Sequence, residues 1–133
     1  MDITSKINSL KYLEEGLNAA SLRHGVISNN IANAETPGFK KSVVLFEEAL
    51  KEALKRNNNL LKRTNDKHFP GTQQIPGPKI VSLDNTTMRN DLNNVDIDYE
   101  MTMLAKNTLM FQALSEQISR KFSSLKTVIS GGR

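Results

Sequence analysis

The sequence predicts a mainly α-helical, elongated subunit. Long N- and C-terminal amphipathic helices pair as an antiparallel, coiled-coil-like hairpin. A small middle region of a short helix, loops and a short β-hairpin lies between them. Three observations carry this reading. Apolar residues recur at three- and four-residue steps over about thirty residues at each end. The stretch between them is punctuated by Pro70-Gly71 and Pro76-Gly77-Pro78. Aromatic residues make up only 5% of the 133 residues and Trp is absent, which is thin material for a compact core. The chain divides accordingly into an N-terminal helical piece over 1–34, a middle region over 35–95 and a C-terminal helical piece over 96–133.

The first helix is expected over residues 3–33. Its apolar seam is Ile3, Ile7, Leu10, Leu13, Leu17, Ala20, Ile27 and Ile31, with His24 in the remaining slot. Asp2 is its expected N-cap. Gly16 weakens the helix by up to about 1 kcal/mol against Ala without breaking the pattern. The last helix is expected over 96–129, capped by Asp96 and ended by Gly131-Gly132. Its seam reads Ile97, Met101, Leu104, Phe111, Leu114, Ile118, Phe122, Leu125 and Ile129, with Thr108 in the open slot. Asp98 and Glu100 fall in the first turn, where the helix dipole favours carboxylates. At 1.5 Å per residue the two helices span about 46 and 51 Å, so their lengths match.

In the middle region, Phe46, Leu50, Ala53, Leu54 and Leu61 suggest a short third helix that fades at Asn57-Asn58-Asn59. Residues Lys79 to Leu83 read as a short strand. Asp84 to Thr87 reads as a turn and Thr87-Met88-Arg89 as a return strand.

Composition narrows the function. The net charge of +4 is spread evenly, and basic residues never run longer than doublets. A nucleic-acid interface would gather them on one stripe beside stacking aromatics. Without cysteine there is no disulfide framework, thiolate metal site or thiol nucleophile. The longest apolar run is Val43-Val44-Leu45-Phe46, far short of a membrane span or a signal-peptide core. The expectation is a chain that is cytoplasmic or exported without a cleaved signal peptide. His24 and His68 have no second ligand at metal spacing, and Asp91 to Asn107 fits a calcium loop in neither register. Neither a zinc-protease helix nor a phosphate-binding Gly-rich loop is present. The reading is of no catalytic residue, no cofactor, no metal, no nucleic acid and no small-molecule substrate.

The most specific stretch is Asn29-Asn30-Ile31-Ala32-Asn33-Ala34-Glu35-Thr36-Pro37-Gly38-Phe39. Physically it is a helix end with a stop. Asparagines bond to nearby backbone groups and suit a helix terminus. Thr36 is pushed out of the α region by the following proline. Pro37-Gly38 fits the central positions of a type II turn. Read as a string, it resembles the N-terminal motif of the bacterial flagellar axial proteins, roughly Asn-Asn-Ile-Ala-Asn-x-x-Thr-Pro-Gly-Tyr, with Phe39 in the aromatic slot. A second stretch, Asn93, Asn94, Val95, Asp96, Glu100 and Met101, resembles the segment before the C-terminal helix of basal-body rod proteins in that family. There Asp-Gly-Asn-Asn-Val-Asp is usual, and Leu92 stands where Gly is common.

The resemblance implies a structural subunit of the proximal rod of the flagellar basal body. Such a subunit self-associates and assembles with other rod subunits and with the base of the rod at the membrane ring. It transmits torque and encloses the export channel. It leaves the cell through the flagellar type III export apparatus and resides in the rod, in the periplasmic space. The expected subunit-packing seam comprises Ile3, Ile7, Leu10, Leu13, Leu17, Ile27, Ile31, Met101, Leu104, Phe111, Ile118, Phe122, Leu125 and Ile129. Another short rod protein is the nearest alternative. A soluble helical export chaperone or adaptor, and a peptidoglycan hydrolase working beside the rod, are further ones; both leave the 29–39 motif unexplained.

Overall fold

The computed structural model describes residues 3–57, 76–84 and 92–131, with side chains from Ser9 to Lys55 in the first of these stretches. Five elements follow one another: α1 (Ile3–Ala32), β1 (Ser42–Leu45), α2 (Glu47–Asn57), β2 (Lys79–Ser82) and α3 (Ile97–Ile129). The two long helices pack against each other and β1 lies on α1. Their direction is antiparallel. Asn30 meets Glu100 near the start of α3, Ala20 meets Asn107, and Gly16 meets Leu114 further along.

The helix pair keeps Ala20 and Ile27 of the heptad read in the sequence and adds small and polar residues beside it. Among the residues of α1 that touch α3 are Gly16, Ala20, Arg23 and Asn30. Ala19, Ala20 and Ile27 are buried, whereas Leu10, Leu13, Leu17 and Ile31 are half-buried and His24 is exposed. On α3, Glu100 and Asn107 are buried and Leu104, Leu114 and Ile118 half-buried. Met101, next to Glu100, is 52% exposed, and Phe111 is 39% exposed. The cause is size. A Cβ built on Gly16 would lie 3.4 Å from the Leu114 side chain, so glycine and alanine let the helices approach, and the bulky leucines stand to the side. The side chains of Ile3 and Ile7 lie outside the described residues.

The helix ends follow local chemistry. Asp96 caps α3 and accepts from the Tyr99 N–H at 3.1 Å. At the other end Gly131 takes φ +83°, and the Ser130 N–H donates to the Lys126 carbonyl at 2.9 Å. After α1, the Phe39 N–H donates to the Thr36 carbonyl at 3.3 Å across Pro37-Gly38, with Gly38 at φ +73°. That is the expected type II turn. The expected third helix is α2, whose first turn holds Glu47 and Glu48. Asp2, Asn58, Asn59, Leu61, His68, Pro70, Gly71, Asp91 and Gly132 lie outside the described residues.

The strands add a partner that the sequence did not show. β2 occupies Lys79–Ser82 as expected and pairs with β1, antiparallel, with Ser42 opposite Ser82 and Leu45 opposite Lys79. Residues Thr87-Met88-Arg89, the expected return strand, lie outside the described residues. The apolar Val43-Val44-Leu45 run supplies the pairing edge, and Val44 and Phe46 are buried beneath it. A sheet pair with one face on a helix gains burial that a local hairpin in polar sequence lacks.

Leu92 has φ +66°, the left-handed region, and is 60% exposed. An L-residue pays roughly 1–2 kcal/mol there, which glycine avoids, and glycine's freedom in the unfolded chain cancels part of the gain. Leu92→Gly should therefore stabilise the folded chain by up to about 1 kcal/mol. A higher midpoint of thermal or urea unfolding would show it.

Candidate functional site: an asparagine junction

The two sequence motifs, sixty residues apart, come together where α1 ends and α3 begins. The contacts run almost entirely through carboxamides. Asn30, on the last turn of α1, is 1% exposed. Its Oδ1 accepts from the Ser42 N–H at 3.0 Å and its Nδ2 donates to the Ser42 carbonyl at 2.9 Å. The side chain thus pairs with β1 as a neighbouring strand would. The same Nδ2 donates to Glu100 Oε2 at 3.1 Å. One amide joins α1, β1 and α3, and both of its N–H groups are used.

Asn93 is fully buried and closes the end of α1. Its Nδ2 lies 3.1, 3.0 and 2.9 Å from the carbonyl oxygens of Asn33, Ala34 and Thr36. Two N–H groups serve three carbonyls, so one bond is shared. These carbonyls belong to the turn that follows α1, where those of Asn33 and Thr36 also accept from the Thr36 and Phe39 N–H groups. Asn93 Oδ1 accepts from the Val95 N–H at 2.8 Å, which holds the approach to α3 in its bend.

Asn94, also fully buried, works at the sheet end. Its Oδ1 accepts from the Lys41 N–H at 2.7 Å and its Nδ2 donates to the Leu83 carbonyl at 2.8 Å. The Leu83 N–H donates to the Lys41 carbonyl at 3.0 Å. The amide therefore stands inside the ladder, bridging a strand pair that would otherwise open. Around this centre Lys40 Nζ donates to the Leu92 carbonyl at 2.7 Å, and Lys41 Nζ stands 5.1 Å from the centre of the Tyr99 ring.

The remaining motif residues are local or peripheral. Asn33 Nδ2 donates to the Asn29 carbonyl at 2.9 Å, as a helix-end asparagine should, and Thr36 Oγ1 donates to Asn33 Oδ1 at 3.3 Å. Ala32, Thr36, Pro37 and Gly38 are exposed, Phe39 is half-buried and Val95 is buried. Sequence reading missed three contributors: Ser42, Lys41 and Leu83, which act through their backbones and carry no side-chain signal. It also missed Asn107, whose Nδ2 donates to the Ala20 carbonyl at 2.8 Å while its buried Oδ1 has no hydrogen-bond partner. Among the described residues, no group of three His, Asp or Glu side chains is placed to hold a metal ion, and no helix is long and apolar enough to cross a membrane.

The α1 side of the junction falls within a stretch that matches a known family. Residues 10–40 match the family described as flagella basal body rod protein. Over nearly its whole length the chain is similar to the flagellar basal body rod protein FlgB of Bacillus subtilis, with 38% identity covering 94% of this chain and 95% of that one. The chain belongs to the FlgB family of flagellar rod proteins. FlgB of Borreliella burgdorferi is 36% identical over 91% of this chain and 95% of its own, and FlgB of Escherichia coli 29% identical over 93% and 94%. As a member of the FlgB family, the chain is a structural subunit of the flagellar basal body rod.

Asn93→Asp should test the junction. It is nearly isosteric, yet it replaces two donors with an acceptor facing three carbonyls. A lost buried hydrogen bond leaves its partner unsatisfied at about 1–3 kcal/mol each. The expected loss is on the order of 3 kcal/mol, read by urea unfolding of the purified chain, against a smaller loss for the exposed control Thr36→Ser.

Proposed function

We propose that this subunit occupies the proximal rod, next to the membrane ring. Its terminal pieces, 1–34 and 96–133, pack with those of neighbouring subunits around the export channel, and 35–95 makes outer contacts. In this reading it joins other rod proteins and further copies of itself, and it carries torque from the base of the rod. It reaches that place through the flagellar type III export apparatus without a cleaved signal peptide. Its role is mechanical rather than catalytic, and it needs no cofactor.

The observation that supports this best is the unfinished burial of α3. Phe122, Leu125, Val128 and Ile129 are 55, 40, 71 and 84% exposed. Apolar side chains gathered on one helix in this way mark an association surface. A self-contained helical adaptor would cover them. Locating the chain in isolated basal bodies by cryo-EM distinguishes the proximal rod from a neighbouring rod position, and recovery of the chain only from the cytoplasm would overturn the reading.

The seam gives a sharper contrast. Leu17 is half-buried, Phe111 is partly exposed and Lys11 is exposed in the single copy. Completing the burial of a Leu or Phe contributes about 1.5–3 kcal/mol, and a carboxylate in that place adds a desolvation penalty. Leu17→Asp and Phe111→Asp should abolish swimming while the protein stays soluble, whereas Lys11→Asp and Glu15→Asp should swim. Equal motility of Leu17→Asp and Lys11→Asp strains would sink the seam.

A further inference from the structure

The contact between α1 and α3 holds a polar atom without a partner. Asn107 is 3% exposed and uses its Nδ2 on the Ala20 carbonyl at 2.8 Å, while among the described residues nothing donates to its Oδ1. The Nδ2 bond fixes which way the amide faces, because the reversed amide would set two oxygens against each other. Buried polar atoms in folded chains are almost always bonded, so an exception has a reason. Here it lies beside the atom. Asn107 lines a pocket of about 270 Å³ together with Thr108 and Phe111 of α3 and Ser21 and His24 of α1. Ser21, His24 and Thr108 are exposed at its rim, Phe111 is a half-open apolar wall, and Asn107 is its floor.

We propose that this pocket is a socket for the side-chain carboxamide of an Asn or Gln on a neighbouring rod subunit. The proposal rests on the reading of the chain as a rod subunit and names the chemistry of one contact within the rod. Each property of the pocket narrows the occupant. Its floor is an acceptor, so the occupant donates. None of the lining residues is a carboxylate, so an ammonium or guanidinium would be buried without a counter-charge. The Ser21 hydroxyl and the His24 ring stand at the rim and can donate in turn, so the occupant also accepts. The volume is several times the ~30 Å³ share of one water, and Phe111 offers an apolar side to a methylene stem. A hydroxyl gathers donor and acceptor on one oxygen. A carboxamide sets them apart, one for the floor and one for the rim.

Asn107→Leu keeps the branched shape and removes the acceptor. The Ala20 carbonyl keeps the His24 N–H of its own helix. The purified variant should therefore unfold at the same or a higher urea concentration than the unmodified chain. Its content in isolated basal bodies should nonetheless fall by about tenfold, the effect of one lost hydrogen bond of ordinary strength. Thr108→Phe leaves Asn107 and its bond in place and fills the pocket from the rim, and it should fold normally with the same loss. Cryo-EM of basal bodies carrying the unmodified chain should show an Asn or Gln amide of a neighbouring subunit within hydrogen-bond distance of Asn107 Oδ1. If Asn107→Leu weakens the fold, Thr108→Phe and the map carry the test. Normal incorporation of Thr108→Phe, or a map with only water, a cationic side chain or nothing at Oδ1, would overturn the socket and leave the rod reading intact. Absence of the unmodified chain from basal bodies would instead overturn the rod reading.

Discussion

The whole arrangement depends on three buried asparagines that bond to backbone groups of other segments. Backbone acceptors are costly to bury unpaired. Asn93 reaches the carbonyls of Asn33, Ala34 and Thr36, in the turn just past α1, from the far side of the chain. Because Asn93 precedes α3 by four residues, holding that turn also fixes where α3 starts. Asn30 and Asn94 repeat the device on Ser42 and on the Lys41–Leu83 pair. A carboxamide matches a peptide group donor for acceptor, so each asparagine can stand in for a piece of backbone. Three of them supplement a small hydrophobic core that includes Ile27, Val44, Phe46 and Val95.

This junction explains the composition of the helix pair. Near it, the contact between α1 and α3 is polar: Asn30 with Glu100, then Ala20 with Asn107. Arg23 adds an ion pair to Glu47 at 2.6 Å and reaches the Met110 sulfur at 4.0 Å, which joins the start of α2 to both long helices. Ion pairs with an exposed partner contribute little, typically under 1 kcal/mol. Their value here is directional, since they hold the angle at which α2 leaves β1. Further along, Gly16 and Leu114 continue the contact by close approach, and apolar side chains on α3 are left over.

What could be read in the sequence was what is decided locally. The Asp96 cap, the Pro37-Gly38 turn and the Gly131 stop each involve neighbours within four residues, and each stands where expected. Leu92, which stands where glycine is usual in the family, proves to be a left-handed residue, a conformation its side chain does not announce. Partners set by tertiary geometry were not legible. A four-residue run such as Val43 to Phe46 has no period to tell strand from buried helix, and its partner strand lies more than thirty residues away. The asparagines announced hydrogen bonds but not their distant partners; Asn33, and Asn93 through its Oδ1, bond locally as their type suggests. The heptad followed Leu13 and Leu17 as well as Ala20 because large apolar residues dominate a periodicity count, whereas close packing also drew on Gly16 and Ala19, which the count passed over.

The preference for small residues in the helix contact bears on how a rod subunit divides its free energy between folding and assembly. The small and polar residues serve the fold, and the large apolar ones remain available to neighbours. Burying one Leu, Ile, Val or Phe side chain fully contributes about 1.5–3 kcal/mol. Those of Phe122, Leu125, Val128 and Ile129 are already partly covered, so together they supply at most roughly 6–12 kcal/mol. Bringing two subunits together costs an estimated 4–15 kcal/mol in translational and rotational freedom before any side chain is ordered. One such contact therefore sits near balance, and two copies meeting in solution gain little. A subunit that enters an array touches several neighbours and pays the cost of immobilisation once. In the proposed rod, the same exposed residues would hold an array together while leaving isolated copies apart.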